Sequence, residues 1–382
     1  MKVAGLFAGI GGIEAGLHRA GFSTHLLCEI DAAACKVLET RFPGVDLRRD
    51  VTALRGLPSG TEVLTAGFPC QDLSQAGRTK GLDGSRSGLI GEVFRLLRRK
   101  RVPLLVIENV PFMLQLNGGQ AIRHIIDELE ALGYAWAYRI VDSRCFGLPQ
   151  RRERVYLVAS KEIDPALHLF REDAGVASEP EHTNRACGFY WTEGNRGLGW
   201  AVDAVPTLKG GSALGIPSPP AIWLPNGRIV RPDIRDAERL QGFAADWTKP
   251  AEEVARDTVR WKLVGNAVTV DAAEWVGRAI LGTALDARPT GRMFSQTKSW
   301  PAAAAGKPGE KRLAIDVSKW PVARRAKPLE KFLKHPPRLL SLKAVSGFVS
   351  RLKASSLRYP PEFMDALERH RVAMGRNVSS MH

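Results

Sequence analysis

The stretch GFPCQD, Gly67 to Asp72, follows directly on the apolar run Val63 to Ala66. A short apolar run bounded by glycine and proline reads as a buried strand, so the Cys70 thiol falls where a parallel strand ends and a loop begins. Open α/β sheets carry their chemistry at that edge. The next such edge is VPLLVIENV, Val102 to Val110, whose exit carries Glu108 and Asn109. A nucleophile and an acid thus share one sheet edge, and the expected fold is a doubly wound α/β sheet.

Three further stretches stand in order with these two: LFAGIGG at Leu6 to Gly12, QRRER at Gln150 to Arg154, and GNAV at Gly265 to Val268. Together the five resemble the motifs of the cytosine-C5 DNA methyltransferases, in the unpermuted order, over residues 1–160 and 231–280. RPDIRDAERLQGF at Arg231 to Phe243 resembles that family's ninth motif, with Pro232, Asp233 and Ile234 in place of the usual Leu-Thr opening. The resemblance implies a Rossmann-like methyltransferase core over 1–160, a small irregular target-recognition domain over 161–230, and a return to the core over 231–285. A basic C-terminal extension would fill 286–382.

Composition excludes several classes. At 382 residues and 44% hydrophobic the chain can bury a full core. Met1 to Ala20 carries one lysine, early glycines and Glu14 inside its apolar run, so it reads as a strand and loop rather than a leader. No apolar segment is long enough to span a bilayer. Cys28, Cys35, Cys70, Cys145 and Cys187 make an odd count without a CxxC pair, against a disulfide framework and against a metal site. A reducing cytoplasm and a soluble monomer are expected. The formal charge of +15 is uneven: from Arg288 onward there are 20 Lys and Arg against 6 Asp and Glu. The body is nearly neutral.

Lys2 to Phe7 reads as a first strand and FAGIGG as a glycine turn into a helix near Ile13 to Ala20. Such a turn lets the backbone approach a ligand and offers helix amides, but on its own it serves βα packing as often. HLLCEID, His25 to Asp31, reads as a second strand ending in acids. Glu29 stands about 20 residues past the turn, where doubly wound folds place a carboxylate for ribose hydroxyls.

The resemblance implies S-adenosylmethionine as cofactor. Phe7 would lie against the adenine, Gly9 and Gly11 at the methionine end and Glu29 at the ribose, with Ala8, Gly12 and Ile30 also in the pocket. Asp50 and Val51 would meet the adenine, with Pro69, Asn266 and Val268 completing the pocket. Two departures stand near this pocket: the family usually has Asp where this chain has Gly5, and Gly where it has Arg49.

After Cys70 runs the polar, glycine-rich QDLSQAGRTKGLDGSRSG. Loops of that length in a compact domain are functional or disordered, and here a lid over DNA is expected. Gln71, Ser74, Arg78, Lys80, Ser85 and Arg86 would meet the nucleic acid. Arg98 to Arg101 end the next helix and are structural. Ala121 to Leu132 has the spacing of an amphipathic helix. YAWAYRIVDSRCFGLPQRRERVYLVAS reads as two strands joined by a tight turn, with Gln150, Arg152 and Arg154 alternating onto one face.

From Lys161 to Val230 the periodic pattern fades. Thr207, Lys209, Gly210, Gly211 and Ser212 are candidate groove contacts, against a purely structural insertion. Beyond Leu285, Pro, Ala, Lys and Arg dominate up to about Pro337. Leu339 to Leu357 then shows the spacing of an amphipathic helix. Nucleic-acid contact and a partly disordered tail are equally consistent with that composition. Truncation at about residue 287 would, on the first view, weaken DNA binding.

The chemistry implied is attack of the Cys70 thiolate on C6 of cytosine, which opens C5 to methylation. Glu108 would hydrogen-bond the N3 and N4 edge and protonate N3, while Arg152 and Arg154 stabilise developing charge. The substrate would be double-stranded DNA with the target base flipped out, and the chain would be the protective half of a pair with a cognate restriction endonuclease. A tRNA-acting relative and a catalytically silent DNA binder are the alternatives.

Overall fold

A computed structural model of the chain describes residues 1–68, 88–175, 178–193, 197–211, 219–294 and 300–379, with side chains to 376. Pro69, Cys70, Gln71, Ser74, Arg78, Lys80, Ser85, Arg86 and Ser212 lie outside the described residues, as does the expected lid. Two compact units divide the chain. The first is Met1–Cys145, Glu153–Val176 and Ala267–Ala323; the second is Phe146–Arg152, Ala177–Asn266 and Arg324–His382.

In chain order the strands are β1 (Lys2–Leu6), β2 (Ser23–Cys28), β3 (Asp46–Arg48), β4 (Val63–Ala66), β5 (Leu104–Asn109) and β6 (Ala135–Asp142). Next come β7 (Gln150–Arg151), β8 (Glu153–Ser160), β9 (Cys187–Phe189), β10 (Ala201–Val202), β11 (Val205–Pro206) and β12 (Ala221–Trp223). The last are β13 (Ile229–Arg231), β14 (Gly291–Met293), β15 (Ala303–Gly306), β16 (Leu313–Ile315) and β17 (Arg338–Leu339).

The first unit is built on one ten-stranded sheet in the order β14-β16-β15-β6-β8-β5-β4-β1-β2-β3. β3, β2, β1, β4 and β5 run parallel, and β8 and β6 follow antiparallel. Buried on both faces, the central strands are nearly continuous in apolar residues, as parallel sheets require. The strand order reverses between β1 and β4. In open α/β sheets ligands bind in the crevice at the carboxyl ends of the strands where the order reverses, here β1 and β4.

One face of the sheet is covered by the helices Gly12–Arg19 and Val270–Leu281. They approach closely because each carries a glycine where they meet. A Cβ on Gly16 would lie 2.4 Å from the Val270 carbonyl oxygen, and one on Gly277 would lie 2.8 Å from the Ala20 Cβ. On the other face Ile90, Val93, Phe94 and Leu97 of helix Gly88–Arg99 join Ile122, Ile125, Ile126 and Leu129 of helix Gln120–Ala131 in the main core.

The segment expected as a separate extension over 286–382 is instead shared between the two units. Its first part adds three strands to the main sheet: β15 pairs with β6, β16 with β15, and β14 with β16. β15 is alanines and one glycine because the Trp136 ring lies against it; a Cβ on Gly306 would meet the ring at 2.6 Å. Trp300 packs on Trp136 and Tyr138, with ring centroids 6.2 and 6.4 Å away. The cations here are tied down: Arg288 to Asp164 and Glu310, Arg312 to Asp127 and Glu130.

The connection between β6 and β8 also differs from expectation. The two strands pair antiparallel over their full length, yet ten residues, not a tight turn, join them. That excursion carries β7, which pairs with β11 in the second unit.

The second unit has a five-stranded sheet, β10-β9-β12-β13-β17. Val230 and Ile222 face one core cluster, with Leu240, Leu329 and Phe332. Ile229 and Phe189 face another, formed with Val345, Phe348 and Leu352 of helix Leu342–Lys353 and Phe363 and Leu367 of helix Pro361–Ser379. The amphipathic spacing past Leu339 is therefore a core-forming helix. Inside the ninth-motif region, Arg260 bonds Glu238 at 2.9 Å, Asp246 at 3.0 Å and Glu252 at 2.9 Å.

Candidate active site

The β1 exit turns through backbone that few residues tolerate. Phe7 has φ 55°, Gly9 φ 56° and Gly11 φ 80°, all left-handed and natural to glycine but costly for Phe7. Phe7 is held there by an edge-on contact to Phe68, centroids 6.3 Å apart, and the Ala8 amide donates to the Cys28 carbonyl at 3.1 Å. A Cβ on Gly9 would meet nothing within 4 Å, so the turn is open there. A Cβ on Gly11 would strike the Phe42 ring at 2.3 Å, so that glycine serves packing. Gly12 begins the helix and is buried.

Glu29 fastens this turn to the β2 exit. One carboxylate oxygen accepts from the Gly9 amide at 2.7 Å, the other from the Asp31 amide at 2.9 Å. Beside it Ile30 is 78% exposed, an unusual place for a large apolar side chain. At the β3 exit Asp50 is exposed, and its Oδ1 accepts from the Thr52 amide and hydroxyl, both at 2.8 Å. Those two bonds hold its carboxyl below the usual carboxylate range. Val51 is 5% exposed and sits in the main core, leaving only its backbone for a ligand. A groove of about 550 Å³ opens outside β3, lined by Leu26, Asp46, Arg48 and residues 53–58; none of the predicted site residues line it.

Glu14 is the residue that sequence reading missed here. It is 1% exposed, and its Oε1 accepts from the Thr65 hydroxyl at 2.8 Å. A Cβ on Gly5 would lie 2.3 Å from that same oxygen, so the Glu14 carboxyl fills the space of a side chain at position 5. Burial, with Glu29 adding to it, pushes the Glu14 pKa up to about 7. The signal was available: an acid in the first turn of a buried helix, beside a strand glycine that the resemblance marks as unusual.

β4 and β5 bring their exits together. A Cβ on Gly67 would lie 3.8 Å from Glu108 Oε2 and 3.8 Å from Val268 Cγ2. The Asn109 amide donates to the Phe68 carbonyl at 3.0 Å, while its oxygen accepts from the Val110 amide at 2.9 Å. Asn109 therefore pins the strand exit two residues before Cys70. Glu108, 8% exposed, is paired with Arg154 at 3.1 Å.

Gln150 and Arg152 are buried with Arg151 exposed between them, as the period-two spacing predicts, but no single strand carries Gln150, Arg152 and Arg154 together. β7 ends at Arg151 and β8 begins at Glu153, and the break falls at Arg152. Gln150 and Arg152 belong to the second unit and Arg154 to the first. Arg152 is 1% exposed, and its guanidinium donates to the carbonyls of Leu208 at 3.0 Å and Gly265 at 3.3 Å. Those bonds tie Arg152 to the 208–210 stretch and to Gly265.

Gly265 is needed by the same stretch, because a Cβ there would lie 2.1 Å from the Lys209 carbonyl carbon. Asn266 lies against Gly210, which has no room for a side chain: a Cβ would sit 2.2 Å from Asn266 Oδ1. GNAV thus divides, with Gly265 and Asn266 in the second unit and Val268 beside Gly67 in the first. Among the candidate groove contacts, Lys209 is paired with Glu193 and lies 4.0 Å over the Tyr190 ring. Thr207 donates to the Arg151 carbonyl at 2.8 Å. Gly211, at φ 120°, ends the described part of that segment.

The four described cysteines are all buried. Burial pushes the thiol of Cys28 up to about 12, of Cys35 to about 11 and of Cys187 to about 12. None of these three supplies thiolate near neutral pH. Among the described residues there is no cluster of metal-ligating side chains, and no helix is long and apolar enough to cross a membrane.

The sequence model for the C-5 cytosine-specific DNA methylase matches residues 1–184. Type II methyltransferase M2.BsuMI of Bacillus subtilis (strain 168) is 47% identical over 97% of this chain and 98% of its own length. Type II methyltransferase M1.ScrFI of Lactococcus lactis subsp. cremoris is 28% identical over 73% of this chain and 78% of its own. Among solved structures, the Entamoeba histolytica methyltransferase EhMeth superposes with a TM-score of 0.51 at 14% identity, over 74% of this chain and 98% of that one. That likeness concerns the fold alone. The parallel sheet with its reversal at β1 and β4, the tethered glycine turn, Glu108 beside Gly67, and a relative matched almost end to end place this chain in the family of C-5 cytosine-specific DNA methylases.

Proposed function

We propose that the chain transfers a methyl group from S-adenosylmethionine to C5 of a flipped-out cytosine in a specific sequence of duplex DNA. The attack is made by Cys70. The observation that carries this reading is the approach of Gly67 to Glu108, which brings the strand exit leading to Cys70 beside a carboxyl.

The residues present suit the cofactor. The turn is open at Gly9, the Glu29 carboxylate is fixed beside it, Ile30 offers an exposed apolar surface, and Asp50 has an oxygen, Oδ2, without a partner among the described residues. Glu29 would take the ribose hydroxyls, Ile30 and Phe7 the faces of the adenine, Asp50 its amino group. When bound, the cofactor supplies an electrophilic methyl group.

C5 of cytosine is a weak nucleophile within an aromatic ring. Addition of the Cys70 thiolate to C6 breaks that aromaticity, and the electron pair moves toward N3, where a proton from Glu108 receives it. Arg154 orients the Glu108 carboxyl through the 3.1 Å pair. After C5 is methylated its proton passes to water, N3 returns its proton to the Glu108 carboxylate, the C5–C6 double bond re-forms and the Cys70 thiolate departs. Asn109 keeps the thiol-bearing loop in register with Glu108 throughout. Val268 walls the same space; Arg152 and Asn266 shape the recognition unit.

The relatives are Type II methyltransferases, which supports a role in restriction-modification, as the protecting partner of an endonuclease in the cytoplasm. Expression in a host without cytosine methylation, followed by bisulfite sequencing, tests the reading. Methylation at one short motif, absent with Cys70→Ala, is expected; unmethylated DNA from soluble protein would contradict it.

A further inference from the structure

The edge of the five-stranded sheet sets two arginines face to face. β13 and β17 pair antiparallel with Arg231 opposite Arg338 and Val230 opposite Leu339. Residues directly opposed in such a pair project from the same face, where like charges repel. Arg231 is half-buried and its Nε is out of water without a hydrogen-bond partner. Arg338 is exposed.

Other arginines of this unit are neutralised: Arg235 by Asp233, Arg239 by Asp236, Arg260 by three acids. Neither Arg231 nor Arg338 is paired with a carboxylate among the described residues. Burial and the neighbouring Arg338 both push the Arg231 pKa down, so its surroundings supply repulsion and no compensating anion. From Arg324 onward the chain has thirteen Lys and Arg against four Asp and Glu. A half-buried guanidinium facing a second, exposed one is costly alone and favourable around an anion, and the guanidinium fork matches two phosphate oxygens.

We propose that Arg231 and Arg338 form a binding site for one phosphate of the DNA backbone, so that the C-terminal strand β17 helps seat the recognition unit on its substrate. The site positions the duplex and reads no base. This inference rests on DNA being the substrate, as proposed above.

The test uses the full-length protein and a duplex of about 30 base pairs, with binding measured over a series of salt concentrations. Arg338→Gln should flatten the slope of log K against log salt by roughly one and weaken binding several-fold, equally for duplexes with and without the target motif. Arg338→Lys should keep most of the slope. Because Arg338 is exposed on an edge strand and faces a like charge, the melting temperature of Arg338→Gln should be no lower than the wild type and that of Arg338→Lys should match it, which separates a lost contact from a lost fold. Wild-type slope and affinity in Arg338→Gln would overturn the proposal. So would stabilisation of the wild type, and not of Arg338→Gln, by inorganic phosphate with an unchanged DNA slope, which would assign the pair to a free anion. A wild-type protein that binds no duplex at any salt would overturn the substrate reading, and this site with it.

Discussion

Two buried glutamates, one in each unit, show opposite ways of placing a carboxyl inside a protein. Glu14 lies over Gly5 and Thr65 of the parallel sheet with a single hydroxyl as partner. Glu238 lies in the ninth-motif region against Arg260, with the Thr248 hydroxyl and amide added. Each is at most 1% exposed. Without a cation, burial favours the neutral acid and Glu14 becomes a proton-dependent filler; with Arg260 beside it, Glu238 shares a cation with Asp246 and Glu252 and ties their segments together. The sheet of the first unit thus tolerates a titrating group behind its glycine turn, whereas the second unit is braced by charge.

Removing the framework around both groups should have the largest effect. Truncation at residue 287 deletes β14, β15 and β16 from the main sheet and β17 with its two following helices from the other. The shortened chain is expected to aggregate or stay unfolded by circular dichroism; a folded product with merely weaker DNA binding would contradict this structure. Arg260→Met comes next, since it strands Glu238, Asp246 and Glu252 without their shared cation. A loss of about 3–5 kcal/mol is expected in denaturant titrations. A loss under about 1 kcal/mol would mean that the network is not a brace.

Glu14 should behave in the opposite sense. Its folded-state pKa is about 7, against an ordinary 4.5, so the folded protein holds a proton that the unfolded chain releases. Its contribution is fully favourable below about pH 4.5, declines as pH rises to about 7, and is then constant; the total change is of the order of 3 kcal/mol. Glu14→Gln should remove this decline and be the more stable protein at pH 8. A variant with the same pH profile as the wild type would place the titration elsewhere. Asp164 and Asp173, whose pKa values are lowered, act in the other direction, losing their contribution as pH falls below the ordinary carboxylate range.

The smallest expected effect on stability is that of Asn109→Ala. It leaves the Phe68 carbonyl unbonded at a cost of roughly 1–2 kcal/mol, yet methylation should fall far more than stability because the Cys70 loop loses its anchor. Equal losses in both would make Asn109 only a structural residue.

The parallel sheet was legible because its strands are continuous apolar runs with glycine and acids at their exits, features that local sequence displays. β15 was not legible: Ala303, Ala304 and Ala305 have neither β-branching nor alternation, and they form a strand because the Trp136 ring needs small neighbours. The passage from one unit to the other between Arg152 and Arg154 was not legible, because a period-two pattern carries no mark of it. Glu14 was legible as an acid in the first turn of a buried helix, but its place against Gly5 is a contact between two elements that the sequence does not display.

The central claim is a thioether between Cys70 and C6 of the target cytosine. It is tested most directly with a duplex carrying 5-fluorocytosine in the methylated motif, where the fluorine that replaces the departing proton stalls the reaction after methyl transfer. With S-adenosylmethionine present, the wild type should form a covalent protein–DNA adduct that survives denaturation and maps by mass spectrometry to the peptide holding Cys70. No adduct should form with Cys70→Ala. An adduct at Cys28, Cys35, Cys145 or Cys187, or methylation of ordinary DNA by Cys70→Ala, would contradict the account.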